Sequence, residues 1–250
     1  MGSTVCQAVS TDERLELVAA VDPHHSGLDV SRVAGVPGCD LQISGDPAVF
    51  VDASVDVAID FTQASAARQN LLWLASHGMH AVVGTTGFEP DDIAVFERSF
   101  SRSNCVIAPN FAIGAVLMMR FAAMAAPYFD TAEIIEFHHD QKVDAPSGTA
   151  TLTAQRMAEA SAEWGDDPTR EVIYEGARGG RGPAGIRIHS VRMRGMVAHQ
   201  EVLLGTMGQT LTIRHDSIDR TSFMPGVLLA TNAVPTRPGV TIGLDALLDL

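Results

Sequence analysis

Between Leu15 and Ala108 short β-rich runs alternate with helix-patterned segments, and each run stops at small or polar residues. Leu15–Val21 (LELVAAV) reads as a buried strand ending at Asp22, and Val55–Phe61 (VDVAIDF) as the next. Thr62–Gly78 places Ala66, Leu71, Leu72 and Leu74 at helical spacing before a His77-Gly78 stop. Ala81–Val83 runs into Gly84-Thr85-Thr86-Gly87, Asp91–Phe100 is helical, and Cys105–Ala108 is a further strand. Such alternation predicts an α/β fold with a Rossmann-like, doubly wound parallel sheet. Ligands of these sheets lie at the carboxyl ends of the strands, where Asp22, Asp60–Thr62, Gly84–Gly87 and Pro109–Phe111 fall.

The pattern changes after Asn110. Ile113–Tyr128 reads as a long apolar helix, Glu133–His138 as a strand and Ser147–Trp164 as a second helix. Ile186–Met193, Glu201–Leu204 and Thr210–His215 follow as strands without helices between them, and Phe223–Ala233 returns to helix. This half is expected to be an α+β domain with a mixed or antiparallel sheet, one face of which serves oligomer contacts. The expected division is a dinucleotide-binding domain over 1–110, a substrate-binding and oligomerisation domain over 111–222, and a segment over 223–250 that rejoins the first domain. The Gly-rich stretch Gly176–Gly185 is expected to be a mobile loop.

Charge narrows the function. With 17 Lys and Arg against 30 Asp and Glu, the net charge of −13 lacks the basic footprint of nucleic-acid binding. The single Arg178-Gly-Gly-Arg181-Gly run reads as a flexible loop, not an RNA contact. An anionic substrate must therefore be held by a few placed cations. The most apolar stretch, Val116–Phe129, is interrupted by Arg120 and Pro127 and is too short for a bilayer span. Cys6, Cys39 and Cys105 form no C-x-x-C pair, and the opening residues carry no basic-then-apolar leader pattern. The expectation is a cytoplasmic protein with reduced thiols.

The densest polar cluster runs from Glu136 through His138, His139, Lys142 and Asp144 to Pro146-Ser147-Gly148-Thr149. Adjacent histidines on a strand point to opposite faces and cannot share one metal, and no further ligand stands at zinc spacing, so no metal is expected. A histidine titrates near neutrality, and Lys142, four residues beyond His138, can lie beside it in a turn, a setting suited to proton donation. Pro-Ser-Gly-Thr then opens a helix whose first N–H groups suit a carboxylate. An ordinary strand–turn–helix with surface histidines would account for an isolated His-His, but not for Lys, Asp and a helix start in one short segment. Gly84–Gly87 reads equally as a nucleotide-contacting loop or a tight turn. Asp22 reads equally as a ribose-hydroxyl acceptor, which would disfavour a 2′-phosphate, or as a cap. Arg192, Arg194 and Arg220 are further candidate cations for carboxylates.

His138-His139-x-x-Lys142-x-Asp144-Ala-Pro-Ser-Gly-Thr149-Ala resembles the signature of the dihydrodipicolinate reductase (4-hydroxy-tetrahydrodipicolinate reductase) family of lysine and diaminopimelate synthesis. The resemblance extends through Ile59–Thr62, Val83–Phe88, Ala108–Phe111, Gly195–Glu201, Leu211–Ser217 and Arg220–Phe223, in the family's order and over nearly the whole chain. It implies a reductase that uses NADH or NADPH to add hydride to a cyclic, unsaturated imine-type dicarboxylate. By the same resemblance His138 is the catalytic acid and Lys142 its partner. His139, Gly148 and Thr149 contact substrate, the last two through helix N–H groups. Gly84, Thr85, Thr86, Ala108, Pro109, Asn110 and Phe111 lie along the cofactor near the nicotinamide, and Asp22 takes the ribose. A homotetramer joined through the second sheet is also implied. Members of the family open with a strand and a Gly-x-x-Gly-Arg-Met-Gly phosphate loop. Here Met1-Gly2-Ser3 resembles only the tail of that loop, followed by its helix over Thr4–Ser10. The first strand of the sheet is thus absent, and the expectation is a native start upstream of Met1, the alternative being a weakened cofactor binder. Two other readings are a related two-domain dehydrogenase of amino-acid precursors, for which the His138–Thr149 signature is not required, and a regulatory homologue that no longer binds dinucleotide.

Overall fold

The structure, a computed structural model, describes residues 1–248. In chain order the elements are α1 (Gly2–Thr11), β1 (Ala20–Val21), α2 (Val30–Ala34), β2 (Ile43–Ser44), α3 (Val49–Asp52), β3 (Val57–Asp60), α4 (Ala64–Ser76), β4 (His80–Val83), α5 (Pro90–Ser99) and β5 (Cys105–Ile107). They continue as α6 (Ile113–Ala125), β6 (Thr131–His138), α7 (Gly148–Ala160), β7 (Gly180–Arg181), β8 (Arg187–Arg192), β9 (Ala198–Thr206), β10 (Gln209–Ser217), α8 (Met224–Ala233) and β11 (Val240–Ile242). Two compact units result, Met1–Phe111 with Arg220–Leu250, and Ala112–Asp219.

The first unit carries a parallel sheet in the order β11-β5-β4-β3. Ala81, Val82 and Val83 of β4 and all three residues of β5 are buried, as expected of central strands covered on both faces. Helix α4 buries Ala67, Leu71, Leu74 and Ala75, a single stripe at helical spacing, and packs with Phe96 and Phe100 around the sheet core. Helix α5 starts cleanly because Glu89 and Asp92 form a capping box with Pro90 in the first turn.

β1 and β2 form a separate two-residue parallel ladder, Ala20↔Ile43 and Val21↔Ser44. Among the described residues no ladder joins β1 to β3. The strand expected over Leu15–Val21 is therefore paired only at its last two residues, although Leu17 and Ala20 still pack against the cluster of Val30, Ala34, Val36 and Ile43. β11 escaped the sequence pattern because three residues after Pro238-Gly239 carry no periodicity; its place comes from parallel pairing with β5.

The second unit is built on a mixed sheet in the order β10-β9-β6-β8-β7. β6 pairs antiparallel with β9 and parallel with β8. Alternation sends Ile134, Ile188, Val202 and Leu204 to the face covered by α6 and α7, while Ile135, Phe137, Glu201 and Leu203 occupy the other. Helix α7 stops at Ala160, short of the expected Trp164. Ser161 is extended there, and the Trp164 indole N–H donates to the Ser161 carbonyl. The Gly176–Gly185 stretch is no featureless loop. Arg178 pairs with Glu133 at 2.5 Å, Gly180-Arg181 is strand β7, and a Cβ on Gly179 would stand 2.5 Å from the Ile188 carbonyl.

Gly226 of α8 is buried, and a Cβ there would lie 2.1 Å from the backbone oxygen of Phe111. Because the clash is with backbone, Gly226→Ala is expected to lower stability by about 1–3 kcal/mol, read as a fall in the urea midpoint.

Candidate active site

At the carboxyl end of β3 the buried Asp60 carboxylate organises the neighbouring loops. One oxygen accepts from the Thr62 N–H at 2.8 Å, the Thr62 hydroxyl at 2.7 Å and the Thr85 hydroxyl at 3.2 Å; the other accepts from the Asn70 amide at 2.7 Å. Thr85 also donates to the Thr62 carbonyl at 2.9 Å. The Gly84–Gly87 turn is thus tied to the end of β3. Only glycine fits at 84, since a Cβ would fall 2.0 Å from the Phe61 ring, and Gly87 has a φ of +88°. On the adjacent strand Ala108 is buried and its N–H donates to the Val83 carbonyl. Pro109 is exposed, and the Phe111 ring lies 5.7 Å from that of Phe61. Gly84, Thr85 and Thr86 therefore stand beside Ala108, Pro109, Asn110 and Phe111 at the ends of paired strands. Asp22 lies elsewhere, directly after β1 on the separate ladder. Its carboxylate accepts from the His24 N–H at 2.8 Å and pairs with His25 at 2.7 Å. Burial opposes ionisation of Asp22, but these bonds prevail and hold its carboxyl below the usual range.

In the second unit Glu136 and His138 are two residues apart on β6 and share a face. Their partners across the parallel β6–β8 ladder are Ser190 and Arg192. The Glu136 side chain has no exposure to water, yet donors surround it: His138 Nδ1 at 2.5 Å, Arg192 Nη1 and Nη2 each at 2.8 Å, and the Ser147 N–H at 3.2 Å. Burial alone would raise its pKa. Hydrogen bonds from His138, Arg192 and Ser190 overcome that and bring it down to about 2. Arg192 also donates to the Asp144 carbonyl at 2.7 Å, bracing the turn after β6.

Lys142 is held by Asp144, with Nζ 2.7 and 2.8 Å from the two carboxylate oxygens. The Lys142 bond keeps the Asp144 carboxyl below its ordinary range. His139 is exposed beyond the end of β6. Ser147 caps α7 by accepting from the Ala150 N–H at 3.2 Å; the first turn has no acidic residue, and the space beside Gly148 is open. His138, Lys142, Gly148 and Thr149 are thus gathered at one end of the sheet. A cleft of the second unit opens at the Thr131 end of β6, lined by Glu133, Trp164, Arg178 and Arg187, toward the opposite end of the strand from His138. Of the further candidate cations, Arg192 is committed to Glu136, Arg194 pairs with Asp140 while almost wholly exposed, and Arg220 belongs to the first unit. Pattern reading attached no role to Glu136 or Asp60. For Glu136 the signal present was its two-residue spacing from His138; its arginine partner lies 56 residues further along the chain.

The residues of the first unit fit the ribose and nicotinamide ends of a dinucleotide: a carboxylate after β1, and small or turn-forming residues after β4 and β5 that admit a ring to the backbone. The start of α1 at Gly2-Ser3-Thr4, without acidic residues in its first turn, suits a phosphate. Among the described residues no three His, Cys, Asp or Glu side chains gather as metal ligands, and no helix is long and apolar enough to cross a membrane. A parallel sheet of nucleotide-binding form joined to a mixed-sheet unit bearing a histidine and a helix N-terminus fits a pyridine-nucleotide-dependent oxidoreductase. Comparison with known proteins refines the class. Residues 1–111 match the family described as dihydrodipicolinate reductase, N-terminus, and residues 114–248 its C-terminus. The 4-hydroxy-tetrahydrodipicolinate reductase of Cutibacterium acnes is 47% identical over 255 residues, covering all of this chain and 95% of the relative. That of Mycolicibacterium vanbaalenii is 50% identical over 232 residues, covering 88% of this chain and 94% of the relative. The dipicolinate-bound dihydrodipicolinate reductase of Paenisporosarcina sp. TG-14 superimposes with a TM-score of 0.82 at 39% identity, covering 98% of this chain and 94% of that structure. The chain belongs to the dihydrodipicolinate reductase family and is a reductase of that type.

A carboxylate with a depressed folded-state pKa stabilises the fold above its unfolded pKa and ceases to as pH falls through the folded value. Glu136 is therefore expected to stabilise the protein fully above about pH 4.5 and progressively less toward about pH 2. The stability gap between wild type and Glu136→Gln, from urea midpoints across that range, should shrink as pH falls.

Proposed function

We propose that the chain reduces 4-hydroxy-tetrahydrodipicolinate, or its dehydrated form dihydrodipicolinate, to tetrahydrodipicolinate in lysine and diaminopimelate biosynthesis, with NADH or NADPH as reductant. The observation that carries this reading is one strand end at which His138, Lys142 and a helix N-terminus with no acidic residue in its first turn come together, as a proton donor and two anion-binding groups must for a cyclic dicarboxylate. The bound reduced nicotinamide supplies the hydride. In the first unit Asp60 keeps Thr85 and the Gly84–Gly87 turn in place, Ala108, Pro109, Asn110 and Phe111 form the adjoining wall, and Asp22 accepts from ribose hydroxyls. The Asp22 carboxylate repels a 2′-phosphate, which supports use of NADH at least as readily as NADPH.

In the second unit His138 delivers the proton that completes the reduction. One substrate carboxylate takes the N–H groups of Gly148 and Thr149, with His139 alongside. Lys142 exchanges Asp144 for substrate carboxylate, a swap of one exposed partner for another that costs little in water. The enzyme acts in the cytoplasm as a homotetramer. What supports assembly is the sheet face opposite α6 and α7, which carries Ile135, Phe137 and Leu203.

Binding of NADH, followed by its oxidation at the nicotinamide absorbance with freshly generated substrate, tests the activity; binding without turnover would leave only a regulatory role. His138→Gln is expected to lower kcat by ~10²–10⁴-fold, the range for loss of a general acid. Lys142→Ala should raise KM for the dicarboxylate and lower kcat. A steady-state series that leaves substrate affinity unchanged would refute the carboxylate role of Lys142.

A further inference from the structure

Glu136 is the one fully buried carboxylate in the second unit's polar cluster, and the proposed reaction gives it no chemical step. Its contacts are nonetheless the most heavily determined at the site. Three residues donate to it: His138, Arg192 in a two-point contact, and Ser147 through its backbone N–H, with Ser190 opposite it on β8. Each belongs to a different part of the site. His138 is the proposed acid, Ser147 begins the helix offered to a carboxylate, and Arg192 reaches on to the backbone of the turn that holds Lys142.

An ionised carboxylate has no hydrogen to donate, so the 2.5 Å contact requires the proton on His138 Nδ1. His138 Nε2 has no hydrogen-bond partner among the described residues. We infer that Glu136, clamped by Arg192, is a positioning residue that holds neutral His138 in its Nδ1–H tautomer and reserves Nε2 for proton exchange with the substrate. This rests on the proposed role of His138 as acid and extends it. In the step itself Nε2–H of the imidazolium gives its proton to the ring that has accepted hydride. The neutral histidine left behind carries its hydrogen on Nδ1, already bonded to Glu136, so ring and carboxylate need not move. In the opposite tautomer the Nδ1 lone pair would face the carboxylate oxygen, and Nε2, already bearing hydrogen, could not be recharged from solvent.

The tautomer is measured directly by long-range ¹⁵N–¹H correlation on uniformly labelled full-length protein, with the His138 signal assigned by its disappearance in His138→Gln. With His138 neutral, wild type is expected to show a protonated-type Nδ1 and an unprotonated-type Nε2; the reverse pattern overturns the proposal without any Glu136 variant. Glu136→Gln, folded by circular dichroism, is expected to lose that single-tautomer pattern. Its kcat should fall by about 10²–10⁴-fold with KM for the dicarboxylate changed less than about threefold, as for loss of a carboxylate that orients a catalytic histidine. An unchanged kcat in Glu136→Gln, where His138→Gln is impaired, sinks the positioning role alone. Full activity in His138→Gln sinks the acid assignment itself, and the positioning role with it. Arg192→Lys gives a variant that keeps Glu136. It should retain the Nδ1–H pattern and lose a smaller part of kcat, and loss of the pattern with kcat intact would again overturn the assignment.

Discussion

Placing a carboxylate entirely out of water is unfavourable unless its lone pairs are met by donors, and an uncompensated one would unfold its surroundings or take up a proton. At Glu136 the donors come from β6, β8 and the first residue before α7, so satisfying one side chain brings three elements into a single arrangement. The parallel pairing of β6 with β8 is what makes this geometry available. It sets Glu136 beside Ser190 and His138 beside Arg192, and the guanidinium then reaches back along the diagonal. Had β8 run antiparallel, Arg192 would lie toward the other end of β6. The local order of the site is therefore a consequence of sheet topology as much as of the residues in the signature.

Asp60 does comparable work in the first unit by a different route. Its ligands are two hydroxyls, one backbone N–H and one side-chain amide, all neutral, so nothing there resembles an ion pair. What it gains is control over a turn. Thr85 is linked both to Asp60 and to the Thr62 carbonyl, which fastens the loop after β4 to the loop after β3, while the Phe61 ring fills the space that a side chain at Gly84 would take. In the proposed reading a nucleotide at these strand ends meets backbone held in place beforehand, so that ordering cost is not incurred on binding.

Legibility from sequence followed the range of the interactions involved. β4, α4 and α5 carry their own periodicity or caps and were readable within a residue or two. The His138–Thr149 segment was readable because its chemistry is contiguous. β1 came out shorter than its apolar run because a strand is made by its partner, and β2 offers only two residues. β11 is three residues long and is defined wholly by β5. A spacing of four lets Lys142 lie beside His138 in the turn, and the partner its Nζ takes is Asp144, two residues away and oppositely charged. Arg192 was readable as a cation and not as the partner of Glu136, because 56 residues and a parallel crossover separate the two.

Net charge sharpens the account of how an anion is held. In a chain of charge −13, cations are scarce, and most of those near the second sheet are already matched: Arg178 with Glu133, Arg187 with Asp167, Arg192 with Glu136, Arg214 with Glu201 and Asp216. The buried pair Arg192–Glu136 cannot be opened for a ligand without stranding a charge in the interior. Lys142–Asp144 is different, since Asp144 is 56% exposed and water can take Lys142's place. Helix α7 adds the complementary feature, a first turn with no acidic side chain and open space at Gly148. No acidic side chain of that turn opposes the partial positive charge of its N–H groups. In the proposed reading, and against an unfavourable overall field, a dicarboxylate meets Lys142, whose partner is exposed, and the start of α7, while the buried Arg192–Glu136 pair stays fixed beside the histidine.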